Sequence, residues 1–126
     1  MTTFELYQKY QKIFSLMSDP FYSISSDIPT GWMKTIDLLC ESIQNYIDNI
    51  NNNNKHLPQV EQLVVQQIKE KFASLRMYTS GGDKQIEGMI SFVETICEHT
   101  CQDCGKDGKL IKSSWWVVLC DECNKK

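Results

Sequence analysis

The sequence of 126 residues lacks a long hydrophobic run and an excess of basic residues, and it contains a single arginine, Arg76. No apolar run approaches the roughly 18 residues of a membrane-spanning helix. The N-terminal stretch MTTFELYQKYQKIF also lacks the uninterrupted apolar core of a secretory signal. A net charge of −3 argues against a general nucleic-acid-binding protein, which is usually basic.

Catalytic patterns are missing too. The chain has two histidines, no arrangement of serine, histidine and acid that indicates a nucleophile, and no glycine-rich loop that would hold phosphates. These absences make an enzyme the less favoured class, and they direct attention to the cysteines.

Four of the six cysteines form two Cys-x-x-Cys pairs near the C-terminus, Cys101/Cys104 and Cys120/Cys123. This spacing is typical of a zinc site with four thiolate ligands. An iron site could use the same spacing, although a small non-redox module is the commoner outcome. Because all four thiolates are committed, no coordination position remains for water, and the sequence predicts structural Zn²⁺.

The residues around these pairs predict a zinc ribbon. Gly105 and Asn124 each follow one pair and tolerate the positive φ that a tight metal-binding turn favours. The run WWVVL predicts a strand leading into the second pair, with one of Trp115 and Trp116 buried against the third helix and the other at the surface. His99 could displace a ligand, but it is better explained as the last residue of a helix.

Apolar periodicity predicts helices over residues 3–17, 30–50 and 83–99, the last capped by Asp83. The run of asparagines at 51–54 predicts a loop. Cys40 and Cys97 occupy apolar helical positions, so we expect reduced core thiols and a cytoplasmic protein. The third helix leads directly into Cys101, which predicts a body of residues 1–99 with a module of residues 100–126 docked on it.

Residues 58–80 fit either a helix or a hairpin that turns at Ala73-Ser74. The hairpin would pair Lys71 with Arg76 and Lys69 with Tyr78, and like charges in such positions repel. It sorts four side chains onto one basic face: Lys69, Lys71, Arg76 and Tyr78. This face is either a solvated surface or a site for a phosphate, a nucleotide or the acidic side chains of a partner.

The stretch QQIKEKFASLRMY, the Gly-Gly-Asp turn after it and the four-cysteine end resemble a group of small uncharacterised bacterial and phage proteins. The resemblance spans about residues 31–123 and includes the early pair Gly31-Trp32. It implies glycines where this chain has Ala73-Ser74, which favours strands over a helix, and it implies that the basic face is shared.

The sequence therefore predicts an α+β fold of three helices and one β-hairpin, with a C-terminal four-cysteine zinc ribbon docked on the body. The expected function is that of a non-enzymatic, zinc-stabilised binding protein of phage or mobile-element origin. It would act on a host protein or a small anionic ligand. The alternative is a nucleic-acid-binding zinc ribbon that uses an exposed tryptophan and three lysines: Lys106, Lys109 and Lys112.

Overall fold

The computed structural model of the chain describes residues 1–18, 28–53 and 58–125. These ranges contain four α-helices and two separate antiparallel hairpins, which confirms the α+β class with one α-helix more than predicted. The elements are α1 (Thr3–Lys9), a 3-10 turn (Ser15–Ser18), a second 3-10 turn (Thr30–Trp32), α2 (Met33–Asn53), β1 (Val64–Lys71), β2 (Ser74–Ser80), α3 (Lys84–Glu98), β3 (Lys109–Lys112), β4 (Trp116–Leu119) and α4 (Asp121–Asn124). No helix in these ranges is both long and apolar enough to cross a membrane.

The N-terminal helix is shorter than the predicted helix over residues 3–17, because α1 ends at Lys9. Beyond it, the carbonyl oxygen of Ile13 accepts a hydrogen bond from the backbone N–H of Val65 at 2.8 Å. This segment therefore covers the edge of β1 instead of continuing a helix. Apolar spacing indicates which side chains are buried, but it does not indicate which backbone group each residue bonds.

Helix α2 supplies the longest apolar face of the core, formed by Met33, Ile36, Leu39, Cys40, Ile43 and Ile47. It continues through Asn53, so the loop predicted over the asparagine run is wrong for its first three residues, and Asn54 lies outside the described residues. The side chain of Asn51 bonds both backbone groups of Val60, at 2.9 and 3.0 Å. These bonds offset the low intrinsic preference of asparagine for a helix.

The segment that the pattern left open between helix and strand folds as a hairpin, in which Lys71 pairs with Ser74. Its two-residue turn is Phe72-Ala73, one position earlier than predicted. Both residues have positive φ, 52° and 64°, as a type I′ turn requires. The carboxylate of Glu70 accepts the N–H of Ala73 at 2.8 Å and stabilises this turn.

Helix α3 begins where the sequence predicts. The Asp83 carboxylate accepts the N–H of Ile86 at 3.0 Å and the hydroxyl of Tyr46 at 2.5 Å. The first bond caps α3, and the second attaches its start to α2. The helix ends at Glu98, three residues before Cys101, so it carries the C-terminal module without a linker.

In the C-terminal hairpin, β3 pairs with β4, and Val118 is the strand residue that is fully buried. The predicted strand is confirmed, but neither tryptophan is buried against α3. Trp115 is 78% exposed and Trp116 is 40% exposed. Trp116 packs edge-to-face on Phe72 of the first hairpin, with 6.1 Å between ring centroids. The buried residue of β4 is the smaller Val118.

Candidate metal centre

The first cysteine pair lies in a tight turn directly after α3. The carbonyl oxygen of Cys101 accepts a hydrogen bond from the N–H of Gly105 at 3.0 Å. The N–H of Cys101 donates to the carbonyl oxygen of Lys106 at 2.7 Å. Gly105 has the positive φ that the sequence predicts, +85°. Because a side chain at such a φ is strained, glycine permits the chain to reverse here.

The second cysteine pair is held by α4. Cys120 caps this short helix, and its Sγ accepts the N–H of Cys123 at 3.4 Å. Asn124 does not adopt the predicted positive φ: it belongs to α4 and donates its N–H to the carbonyl of Cys120 at 3.0 Å. The two pairs are therefore presented by two different local structures.

The four Sγ atoms of Cys101, Cys104, Cys120 and Cys123 all lie within 4.8 Å of one another. The two that face across the hairpin, in Cys104 and Cys120, are 3.6 Å apart. Zinc–sulfur bonds of about 2.3 Å in a tetrahedron place sulfurs about 3.8 Å apart, so this group fits one tetrahedral metal ion. All six cysteines are free, and no disulfide competes for these sulfurs.

Backbone N–H groups favour the thiolate form of Cys101. Burial acts to raise its pKa, but the N–H groups of Cys104, Cys120 and Asp103 outweigh burial and lower the pKa to about 6. The pKa of Cys123 is raised to about 12, and its hydrogen bond with the side chain of Cys120 makes the largest contribution. Thiolate is the form that binds metal, and the backbone N–H groups around Cys101 favour that form.

The two cysteines outside the group behave differently. Burial raises the pKa of both Cys40 and Cys97 to about 12. Both side chains are fully buried in the core. They are the reduced core thiols that the sequence predicts. His99 caps the end of α3 and is not a member of the four-sulfur group.

The body contacts the first metal-binding turn through Gly31 and Trp32. The N–H of Gly31 donates to the carbonyl of Gln102 at 2.8 Å, and the indole Nε1 of Trp32 donates to the carbonyl of Thr100 at 2.8 Å. A Cβ on Gly31 would lie 2.0 Å from the Cys101 carbonyl oxygen. Sequence reasoning placed Trp32 in the apolar stripe of the second helix and gave neither residue a role at the cysteine pairs. Their place in the resemblance was the available signal.

Gln102 joins the same turn to β4. Its N–H donates to the carbonyl of Val118, and its side-chain oxygen accepts the N–H of Val118, both at 2.8 Å. The metal-binding turn is thus hydrogen-bonded to the body on one side and to the ribbon strand on the other. Hydrogen bonds from residues outside the two Cys-x-x-Cys pairs therefore help to position the four sulfurs.

The basic face remains a single face of the first hairpin, but its pairing differs from the prediction. Lys69 lies opposite Arg76, whereas Lys71 and Tyr78 face uncharged residues. The predicted pairs are wrong because the turn lies one residue earlier. Side chains alternate across a strand, so the same four still share one side.

Arg76 is half-buried on this face, as Lys69 is, whereas Lys71 and Tyr78 are exposed. In the part of the chain that the structure describes, its Nε is buried and has no hydrogen-bond partner. The charge of Arg76 interacts with the carboxyl of Glu94 on α3. Burial raises the pKa of Glu94, against the opposing effects of the Met77 N–H and of Arg76. Arg76 is therefore partly compensated within the protein, and Lys69 and Lys71 are the more available cations.

A second surface feature lies where the tips of the two hairpins meet. The aromatic cleft, as we name it, is formed by the rings of Phe72, Trp115 and Trp116 and encloses about 350 Å³. Phe72 is 62% exposed. Sequence reasoning missed its role because it placed Phe72 in a strand and not at the tip.

Comparisons with protein-family models, with curated proteins and with solved structures found no match to this chain.

Proposed function

We propose that this chain is a non-enzymatic binding protein whose C-terminal ribbon is stabilised by one Zn²⁺. The observation that carries the proposal is the group of four sulfurs within 4.8 Å of one another. Four thiolates complete the tetrahedral sphere that zinc prefers in structural sites, and no position is left for a substrate or an activated water. Bound zinc would contribute folding free energy, and Cys101, Cys104, Cys120 and Cys123 would hold it.

The choice of zinc rests on the donor set. Tetrahedral sites of four thiolates hold zinc or iron, and a small structural module without redox chemistry is the commoner case. Six free cysteines suit a reducing compartment, which supports a cytoplasmic location. The resemblance to bacterial and phage proteins supports an origin in a phage or mobile element.

We propose that the partner is anionic. The initial candidates are the surface of a host protein and a small ligand. Lys69 and Lys71 lie on one strand with side chains on one face, as alternate positions must. Neither forms an ion pair with any carboxylate in the described ranges. A cation that is not neutralised within the protein is available to an anionic partner.

A pull-down from bacterial lysate tests the binding role. The Lys69→Ala/Lys71→Ala variant should lose bound species that the wild type recovers. The control, Lys12→Ala/Lys34→Ala, removes the same charge from exposed positions elsewhere and should retain them. Equal recovery of every species by both variants would overturn the first hairpin as the recognition surface.

A further inference from the structure

The aromatic cleft places three solvent-exposed rings side by side. Trp115 is 78% exposed, and Phe72 and Trp116 are 62% and 40% exposed. Solvent-facing rings that lie together, and not singly, mark an interaction surface. The cleft depends on the fold, because its rings come from two hairpins separated by about forty residues of sequence.

Three lysines surround these rings. Lys112 places its Nζ 4.9 Å from the ring centroid of Trp116, and Lys71 places its Nζ 5.7 Å from that of Phe72. Lys109 lines the adjoining cavity. No carboxylate of the described residues lies within ion-pair distance of any of these cleft lysines, namely Lys71, Lys109 and Lys112.

The cleft continues into a second cavity of about 450 Å³, and Phe72 and Trp116 line both. Two carboxylates, Glu70 and Glu98, border this surface. The carboxylate of Glu70 already accepts the N–H of Ala73, so it is directed at the turn. Rings and ammonium groups therefore extend across two adjoining cavities, which suits a chain of repeating units better than one small molecule.

We infer that the anionic partner is single-stranded nucleic acid, with bases stacked on the aromatic cleft and phosphates neutralised by the cleft lysines. This inference rests on the proposed binding function and names its ligand. Single-stranded nucleic acid presents planar rings and negative charges at regular intervals, and proteins bind it by combining aromatic stacking with a basic groove. An acidic peptide would use the lysines but leave the rings without planar partners. A duplex keeps its bases stacked inside.

The lysines that lie at the aromatic cleft differ from those that the sequence predicted for nucleic-acid binding. Of the lysines named from sequence, Lys106 lies near Glu122 at 3.7 Å and does not line the cleft. Lys71 of the first hairpin lies there instead. Because the net charge is −3, we expect affinity to be modest and to depend on salt.

The test is fluorescence anisotropy at low salt, with the zinc-loaded protein and a labelled oligothymidylate of about 15 nucleotides. Trp115→Ala should weaken binding about ten-fold. Lys71→Ala/Lys112→Ala should weaken it and lower the slope of log affinity against log salt by about 1.4. Binding should also quench the intrinsic fluorescence of the exposed tryptophans. A polyglutamate peptide of equal length should not quench this fluorescence.

Two controls match these variants. Phe92→Ala removes a ring that is 67% exposed on another face, and Lys12→Ala/Lys34→Ala removes two remote charges. Both should bind as the wild type does, and every variant should keep one zinc per chain. Absence of binding, wild-type affinity in Trp115→Ala, or equal affinity for duplex or polyglutamate would each overturn the inference. If the pull-down still depends on Lys69 and Lys71, the binding function stands with a protein or small-ligand partner.

Discussion

The two hairpins of this protein are held in place by different interactions. The first hairpin buries Val65, Ile68 and Leu75 in the core, whereas the strands of the second bury one residue, Val118. The second hairpin instead has two cysteine pairs at its base, with sulfurs as close as 3.6 Å. A short hairpin without a hydrophobic face is marginal on its own. We propose that a metal ion held by these four sulfurs replaces the core that the ribbon lacks.

The largest effect should follow from removing one ligand. Cys104→Ser leaves three thiolates, and metal binding in small modules contributes on the order of 10 kcal/mol. We expect loss of bound metal and rapid amide hydrogen exchange over residues 106–119, with protection retained in α2. Hydrogen exchange read by mass spectrometry measures this. Cys40→Ala, at a buried thiol outside the group, should keep its metal, and a protected ribbon in the metal-free Cys104→Ser variant would contradict the comparison.

A core substitution should show the reverse pattern. Ile68 is fully buried in the first hairpin, so Ile68→Ala should lower the free energy of unfolding by about 3 kcal/mol while one metal ion stays bound. Leu110→Ala, at a position 45% exposed on β3, should cost less than about 1 kcal/mol. Urea unfolding and metal analysis of both variants read the result. Equal costs would show that the hairpins are not held differently.

The contact between body and ribbon offers a third test. A Cβ at Gly31 would lie 2.0 Å from the Cys101 carbonyl oxygen and 2.7 Å from the Gly105 nitrogen. Gly31→Ala should therefore cost about 3 kcal/mol and weaken metal retention against a chelator. Gly88→Ala is the matched control, because a Cβ there meets nothing within 4 Å. It should stabilise α3 by up to about 1 kcal/mol. Wild-type stability and wild-type metal retention in Gly31→Ala would refute the close contact between Gly31 and the turn around Cys101.

The smallest expected effect concerns the body alone. The Asp37 carboxylate accepts the Tyr10 hydroxyl at 2.6 Å and the Lys9 ammonium at 3.0 Å, and the Tyr10 bond acts first to lower the pKa of Asp37. A lowered pKa stabilises the folded state above the ordinary carboxyl range, and this stabilisation disappears as pH falls through the folded-state pKa. Asp37→Asn should cost about 1 kcal/mol at neutral pH.

Urea unfolding of wild type and Asp37→Asn at pH 7 and at about pH 2 checks this sign. Any bound metal would dissociate from both proteins in acid, so only the difference between them is read. The difference should be present at pH 7 and absent in acid. A difference that persists in acid would mean that packing, and not the carboxylate charge, stabilises this contact.

Local patterns predicted which four cysteines lie together and where α3 begins, because the Cys-x-x-Cys pairs and the helix cap each depend on residues close in sequence. Spacing alone identified Cys101, Cys104, Cys120 and Cys123, and Asp83 caps its own helix. Positive φ at Gly105 followed from the same local reasoning.

The features that the sequence did not reveal depend on contacts between distant segments. The segment after α1 is bonded to Val65 through Ile13, and Gly31 contacts the turn around Cys101. The turn at Phe72-Ala73 adopts positive φ in residues that disfavour it, and the side-chain alternation, which fits either turn, was assigned one position too late. Exposure of both tryptophans followed from the placement of the two hairpins.

X-ray absorption spectroscopy of the purified protein, combined with elemental analysis, tests the central claim most directly. The claim is that four cysteine sulfurs enclose one metal ion and that this ion holds the ribbon. We predict one zinc per chain with four sulfur neighbours at about 2.3 Å. A protein that holds no metal tightly, or a zinc with an oxygen ligand from solvent, would contradict the account.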